Sequence, residues 1–233
     1  WANISVRYSD EFLEAVEADG LYEQRWPLEG KPVISKLVKA REVWNTIVQC
    51  ATESAEPGCV FWDRMTQYLP AHSYPQFKSK STNPCSEICL SAYDSCRLLS
   101  LNLTGYVRHP FQENAYFDTS AFLDDVETAS YMSDNLVDLE LELIKRIQSH
   151  CSSKTELALW QKLHDAGEQG RRVGLGTHAL GDTMAQLRIK YDSDAAIQFA
   201  SDLYKSFRDK VYRTSCKLAK ERGTFPLWDW GVE

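Results

Sequence analysis

Short strand-like segments that alternate with helical ones predict an α/β fold with largely parallel strands. Two further observations bear on that class. An aperiodic stretch with several prolines, residues 63–97, interrupts the alternation, and structureless runs of that length in a compact domain are usually functional. No internal repeat, low-complexity tract or obvious linker divides the chain, so residues 1–233 read as one domain or part of one. The composition, 43% hydrophobic and 25% charged, is ordinary for a globular protein.

The elements follow in order. Asn3–Arg7 reads as a short strand. Ser9 then suits an N-cap, with Asp10 and Glu11 at the positive end of a helix dipole, and that helix stops near Gly20. Residues 20–33 hold glycine, proline and charge, and read as a loop. Leu37, Ala40, Trp44, Ile47, Val48, Ala51 and Ala55 recur at helical spacing, which predicts a helix over Ser35–Ala55. Pro57-Gly58 ends it, and residues 59–62 form a short buried strand. After the aperiodic stretch, Leu98–Leu103 is a strand. Phe122, Val126, Ala129, Leu136, Leu139, Leu143 and Ile147 mark a long helix opening at Asp118 or Thr119. Thr155–Ala166 is a further helix. Arg171–Leu175 is a strand that feeds a helix over Thr177–Leu187. The last helix runs from near Ser193 to Gly223, with Pro226 beyond.

Charge and cysteine usage narrow the function classes. A net charge of -7 without a basic run argues against a nonspecific nucleic-acid or membrane-surface binder. It leaves room for a local basic pocket for a phosphorylated small molecule. No apolar run approaches a membrane span and residue 1 opens no signal peptide; the first residue is Trp1, so the natural start is expected upstream. Seven cysteines, an odd number without regular spacing, read as reduced cytosolic thiols rather than a disulfide framework, which places the protein in the cytoplasm.

The most informative segment is Asn83-Pro84-Cys85-Ser86-Glu87, with Cys96 eleven residues after Cys85 and Leu101-Asn102-Leu103 beyond. Asn83-Pro84 is a turn signal, so Cys85 is expected on an exposed tight loop. On an extended loop tip, residues 83, 85 and 87 would project to one side and bring amide, thiol and carboxylate together. A lone cysteine is more often a small buried hydrophobe than a nucleophile, so the constellation and not Cys85 alone carries the reading. Cys85, Cys89 and Cys96 also invite a zinc reading, but their C-x3-C-x6-C spacing lacks a Cys-x2-Cys knuckle, and no metal site is expected. Gly174-Leu175-Gly176-Thr177-His178-Ala179, with Asp192 and Asp194 downstream, matches the loose dinucleotide fingerprint. That makes a nicotinamide-dependent oxidoreductase the rival enzyme class, although Arg171 and Arg172 are poor residues for the strand it needs. The five histidines form no ligand spacing, and His178 reads as a helix-start or packing residue. Trp228 and Trp230 could stack a ligand, but packing is the plainer reading.

The Asn83–Glu87 segment resembles the finger-loop signature of the large, catalytic subunit of ribonucleotide reductases. Asn3-Ile4-Ser5-Val6 with Asp10-Glu11-Phe12, Glu56-Pro57-Gly58 with Phe61 and Asp63, Leu101-Asn102-Leu103, Asp134-Asn135 and Arg171-Arg172-Val173-Gly174 resemble further blocks of that family, in order along nearly the whole chain. Pro84 and the short interval from Cys85 to Cys96 are more like the adenosylcobalamin-dependent class than the class served by a diiron subunit. The resemblance implies a central fragment of the subunit, about half of a ten-stranded α/β barrel, with a finger loop near residues 63–97. It also makes Gly174 and Gly176 a tight strand-to-helix turn and Cys89 a bland substitution.

By position, the resemblance implies roles. Cys85 would be the thiyl-radical cysteine that takes hydrogen from the ribose C3′. Glu87 would be the general base at the 3′-hydroxyl, and Asn83 would hold the substrate, with Pro84 and Ser86 completing the loop against it. Cys96 would be one of two thiols that reduce C2′ and end as a disulfide, close in space to Cys85 but not bonded to it. The implied reaction is reduction of a ribonucleotide to a deoxyribonucleotide, with adenosylcobalamin as radical source and a dithiol reductant such as thioredoxin or glutaredoxin restoring the pair. The partner of Cys96, the phosphate-binding loop and the regulatory nucleotide loops are expected outside these residues. Complementing reductase segments are therefore expected partners, and the chain alone is expected to be inactive. The alternative within the resemblance is a reductase-derived structural or interaction protein without turnover.

Overall fold

The computed structural model describes residues 4–28, 30–229 and 231–232. The chain divides into two compact units, Trp1–Ala92 and Tyr93–Glu233.

The first unit opens with strand β1 (Ser5–Tyr8) and helix α1 (Asp10–Glu17), which Ser9 caps by accepting from the Phe12 N–H. Strands β2 (Leu21–Trp26) and β3 (Ile34–Lys39) follow, then helix α2 (Ala40–Ser54), strand β4 (Gly58–Phe61) and the short helix α3 (Trp62–Thr66). β1 and β4 pair in parallel, Ser5 against Gly58. Tyr8, Phe12, Val16 and Ala40 are buried together, with Tyr22 and Trp44 against them. A fully buried side chain of this kind contributes on the order of 1.5–3 kcal/mol. Two 3-10 turns, Pro70–Ser73 and Pro75–Phe77, lead to a two-residue pair of strands, β5 (Ser81–Thr82) and β6 (Cys89–Leu90).

The second unit begins with strand β7 (Leu98–Asn102). A 3-10 turn (Leu103–Tyr106) leads to the antiparallel pair β8 (Val107–Arg108) and β9 (Tyr116–Phe117). Helices α4 (Thr119–Gln148) and α5 (Lys154–Gly170) are capped by Asp118 and Ser153. Strand β10 (Gly174–His178) returns beside β7 in parallel register, Gly174 against Leu98. Helix α6 (Leu180–Gln186) and helix α7 (Asp194–Arg222), capped by Ser193, complete the unit. Its core joins Leu103, Tyr106, Phe122, Val126 and Leu203. Among the described residues no helix is long and apolar enough to cross a membrane.

The structure corrects several expectations. Residues 20–33 are not simply a loop, and the helix does not begin at Ser35. β2 and β3 form an antiparallel hairpin, and α2 starts at Ala40. Leu37 lies on that hairpin with much of its side chain in solvent, so its helical spacing to Trp44 was fortuitous. Trp62 begins α3 rather than ending β4, and of β4 only Val60 is buried. The strand expected at residues 171–175 lies three residues later. Gly174 and Gly176 are therefore strand residues, and the turn into α6 is made by Ala179 at a φ of 65°. A phosphate-cradling loop after a strand needs its glycines in the turn, so the dinucleotide reading loses its geometry. The same shift overturns the reading of these glycines as a tight turn. His178 is exposed at the end of β10, neither a helix start nor a packed residue. The strand pairs are mixed: β1–β4 and β7–β10 are parallel, while the β2–β3, β5–β6 and β8–β9 pairs are antiparallel. Asn3 and Trp230 lie outside the described residues.

Candidate catalytic site

Residues 63–97 are mostly irregular, and within them the finger is a small hairpin on β5 and β6. The Lys80 N–H donates to the Leu90 carbonyl at 2.8 Å, and the Asn83 N–H donates to that of Ile88 at 3.2 Å. At the tip the Ser86 N–H donates to the Asn83 carbonyl at 3.0 Å, and Ser86 takes a φ of 66°. The tip is thus a tight turn, as Asn83-Pro84 predicted. It is not the extended segment on which the projection of residues 83, 85 and 87 to one side rested. Cys85 and Glu87 are both exposed on it.

Asn83 is partly committed to the loop itself. Its Oδ1 accepts from the Ile88 N–H at 3.0 Å, so the carboxamide bridges the base of the tip and only its NH2 end is left for a ligand. The Thr82 hydroxyl reaches the Asn83 carbonyl at 2.9 Å and the Ser86 Oγ at 3.3 Å. The finger is tied to the strand layer by Arg7 of β1, which donates to the Lys80 carbonyl at 3.4 Å and stacks 4.4 Å over the Trp62 ring. On the other flank the Ser79 N–H donates to His72 Nε2 at 2.9 Å. A cleft of about 780 Å³ is lined by Asp10, Glu14, Cys59, Arg64 and, from the finger, Ser86. Across β1 and β4 the Cys59 thiol lies 3.8 Å from the Tyr8 hydroxyl. Burial, then the Cys59 contact, pushes the Tyr8 phenol well above its ordinary range. Cys89 is buried in β6, the environment of a small hydrophobe.

Cys96 belongs to the second unit, just before β7, and is exposed. Its neighbours on both sides are fastened to one carboxylate of α4. The Ser95 Oγ donates to Glu140 Oε1 at 2.5 Å, and the Arg97 Nε donates to Glu140 Oε2. Arg97, whose side chain is 6% exposed, also donates to the Arg172 carbonyl at 2.8 Å and lies 3.8 Å from Asp94. Arg172 pairs with the same Asp94 at 2.9 Å. Two carboxylates therefore balance two guanidiniums, which is what lets these groups be buried. Backbone packing is equally close. A Cβ on Gly167 would stand 2.7 Å from an Arg97 nitrogen, and one on Gly174 would stand 3.2 Å from the Arg97 carbonyl oxygen. Cys96 is thus exposed between two neighbours anchored to Glu140.

The remaining motif blocks are structural. Asn102 caps the turn after β7 by accepting from the Thr104 N–H at 3.2 Å. Asp134 accepts from Arg171 at 2.8 Å and from Arg222 at 2.7 Å, which ties α4 to the end of α5 and to α7. The segment carrying Trp228 is held by Leu227, whose N–H donates to the Gln169 carbonyl at 3.3 Å. Sequence reasoning missed Arg7, Asp94, Arg97 and Glu140. Arg97 stood beside Cys96 as a visible charge, but nothing local marked Glu140 as its partner.

The chain is similar to known proteins in sequence and in fold. The model of the family described as ribonucleotide reductase, barrel domain, matches residues 1–231. The chain is 30% identical to the vitamin B12-dependent ribonucleoside-diphosphate reductase of Thermoplasma acidophilum over 99% of this chain and 27% of that protein. It is 31% identical to the protein of the same name from Mycobacterium tuberculosis H37Rv, over 97% of this chain and 28% of that protein. The alpha subunit of a class Id ribonucleotide reductase from Actinobacillus ureae superposes with a TM-score of 0.70 at 21% identity, covering 97% of this chain and 37% of that one. The chain therefore spans about a quarter of the length of these curated relatives.

Proposed function

The chain belongs to the ribonucleotide reductase barrel-domain family, and from that premise we propose that it is a partial catalytic barrel domain, residues 1–233, which reduces a ribonucleotide at C2′ in complex with complementing segments. The observation that carries this reading is an exposed cysteine, Cys85, on a hydrogen-bonded hairpin tip that also presents Asn83 and Glu87. The relatives named ribonucleoside-diphosphate reductases favour a diphosphate substrate.

The chemistry follows from the groups. A thiyl sulfur at Cys85 takes the hydrogen atom from the ribose C3′, while the exposed Glu87 carboxylate accepts the 3′-hydroxyl proton. The Asn83 NH2 holds the sugar, and its Oδ1 keeps the tip in shape through Ile88. The 2′-hydroxyl leaves as water. Cys96 and a second thiol supply two electrons and two protons and become a disulfide, and Cys85 returns the hydrogen to C3′. The sum is ribonucleotide plus dithiol to deoxyribonucleotide, disulfide and water. A thioredoxin-class dithiol then reduces the disulfide by exchange, which the exposure of Cys96 permits. Several relatives are named vitamin B12-dependent. Adenosylcobalamin, when bound, would supply the radical, and Cys85, open at the loop tip, fits as the residue it would face.

The test is deoxyribonucleotide formation by the chain assembled with the remaining segments of a reductase large subunit, supplied with CDP, adenosylcobalamin and a dithiol. Turnover that is lost in Cys85→Ser is expected. In Cys96→Ser the dithiol-driven cycle should stop. A folded, complete assembly without turnover would favour the reductase-derived structural protein and sink this reading.

A further inference from the structure

In the second unit, on α5, another group of side chains is arranged for chemistry. We propose that His164, Asp165 and Glu168 take one transition-metal dication of the zinc class. His164 is 6% exposed, and neither of its ring nitrogens has a hydrogen-bond partner. Burying an imidazole with no partner is unfavourable, so its burial needs a cause. Nδ1 lies 3.6 Å from Asp165 Oδ1 and 4.0 Å from Glu168 Oε2. Those separations are too long for the charged hydrogen bonds that an imidazolium would make with two carboxylates. They suit three ligands around an ion. Zinc bonds to nitrogen and oxygen of about 2.0–2.2 Å put tetrahedral ligand atoms roughly 3.3 Å apart.

The three ligand atoms lie within 4.8 Å of one another, so small rotations of the carboxylates close the set. The Glu168 side chain is 52% exposed and turns freely, whereas Asp165, 49% exposed, must share or release the hydrogen bond that its Oδ1 accepts from Gln161 Nε2 at 2.7 Å. The buried imidazole is fixed, which pre-orients the site. Spacing supports the same assignment, since positions 164 and 168 stand one above the other on the helix. A neutral imidazole with two carboxylates carries two negative charges, which a dication cancels. Nδ1 then binds the ion and Nε2 keeps the proton. Imidazole nitrogen beside carboxylate oxygen selects zinc over magnesium or calcium, which take oxygen alone. The ion would close the turn of α5 that contains Gly167, the residue packed on Arg97. It would stiffen the mount of Cys96 without entering the chemistry.

The experiment titrates the metal-free chain with Zn²⁺ against a chromophoric chelator, in parallel with the Asp165→Asn/Glu168→Gln double variant. Both substitutions fall on solvent-accessible side chains, so the variant keeps the fold; His164→Ala, which empties a buried position, serves only as a second comparison. The seven thiols bind zinc too, so the measured quantity is the difference. The chain should hold one more Zn²⁺ than the double variant, or hold it at least tenfold more tightly. The His164 Nδ1 resonance should move on zinc addition in the chain and stay in place in the variant. Equal stoichiometry and affinity in the two proteins would place the ion on thiols and overturn the site. A His164 resonance that ignores zinc, or that titrates as an imidazolium in its presence, would overturn it as well.

Discussion

Removal of the Glu140 carboxylate should loosen the mount of Cys96 by a calculable amount. Glu140→Ala deletes the acceptor of both the Arg97 Nε and the Ser95 Oγ. Arg97 stays buried with the Arg172 carbonyl at 2.8 Å and Asp94 at 3.8 Å as its remaining partners. Breaking a fully buried pair costs about 3–5 kcal/mol. Glu140 is 29% exposed, so water re-enters and recovers part of that. A loss of about 2–3 kcal/mol is the outcome. For a unit the size of Tyr93–Glu233, that is a fall in the thermal midpoint of roughly 6–9 °C. Circular dichroism melting of the chain measures it. The variant should also alkylate faster at Cys96, because the flanking residues no longer share an anchor. Replacing both partners, Arg97→Met with Glu140→Leu, should recover most of the loss, since an apolar pair leaves no charge stranded. A single-variant loss below about 1 kcal/mol, or a double variant no better than the single one, would refute the claim that one carboxylate holds this segment.

Three further outcomes follow from the same structure. Asn83→Ala should free the Ile88 amide, with a loss of about 1 kcal/mol and an approximately fivefold faster hydrogen exchange there; unchanged protection would mean the carboxamide is not holding the tip. Gly174→Ala should cost about 1–2 kcal/mol, because its Cβ meets the Arg97 carbonyl at 3.2 Å and a Leu98 methyl at 2.8 Å; a neutral substitution in calorimetry would contradict the close pairing of β10 with β7. The Lys210 and Lys217 ammonium groups hold the Glu127 carboxyl at about 2, below its ordinary 4.5. A depressed folded value means that its stabilisation is complete above the ordinary value and disappears as pH falls toward about 2. Glu127→Gln should therefore be less stable than the parent at pH 6 and indistinguishable from it near pH 2, and a gap independent of pH would exclude the ion pairs as its source.

Much of the site is legible in the chain itself, because its signals are local. Ser9, Ser153 and Ser193 cap their helices through N–H groups three residues on, and Asp118 does the same. Asn83-Pro84 makes the turn that exposes Cys85 by its own backbone preference. The order of the blocks pointed to the family and hence to the barrel. Tertiary structure decided what depends on distant partners. Leu37 had helix-like spacing, yet pairing with Glu23 drew it into a hairpin. The strand after Arg172 began at Gly174 because that glycine fits under the Arg97 carbonyl, a contact no local pattern encodes. Glu140 and Arg97 are 43 positions apart, and burial of Arg97 forced a carboxylate to meet it. A charged group taken out of water must find its counter-charge wherever the fold delivers one, and sequence spacing carries no record of that choice.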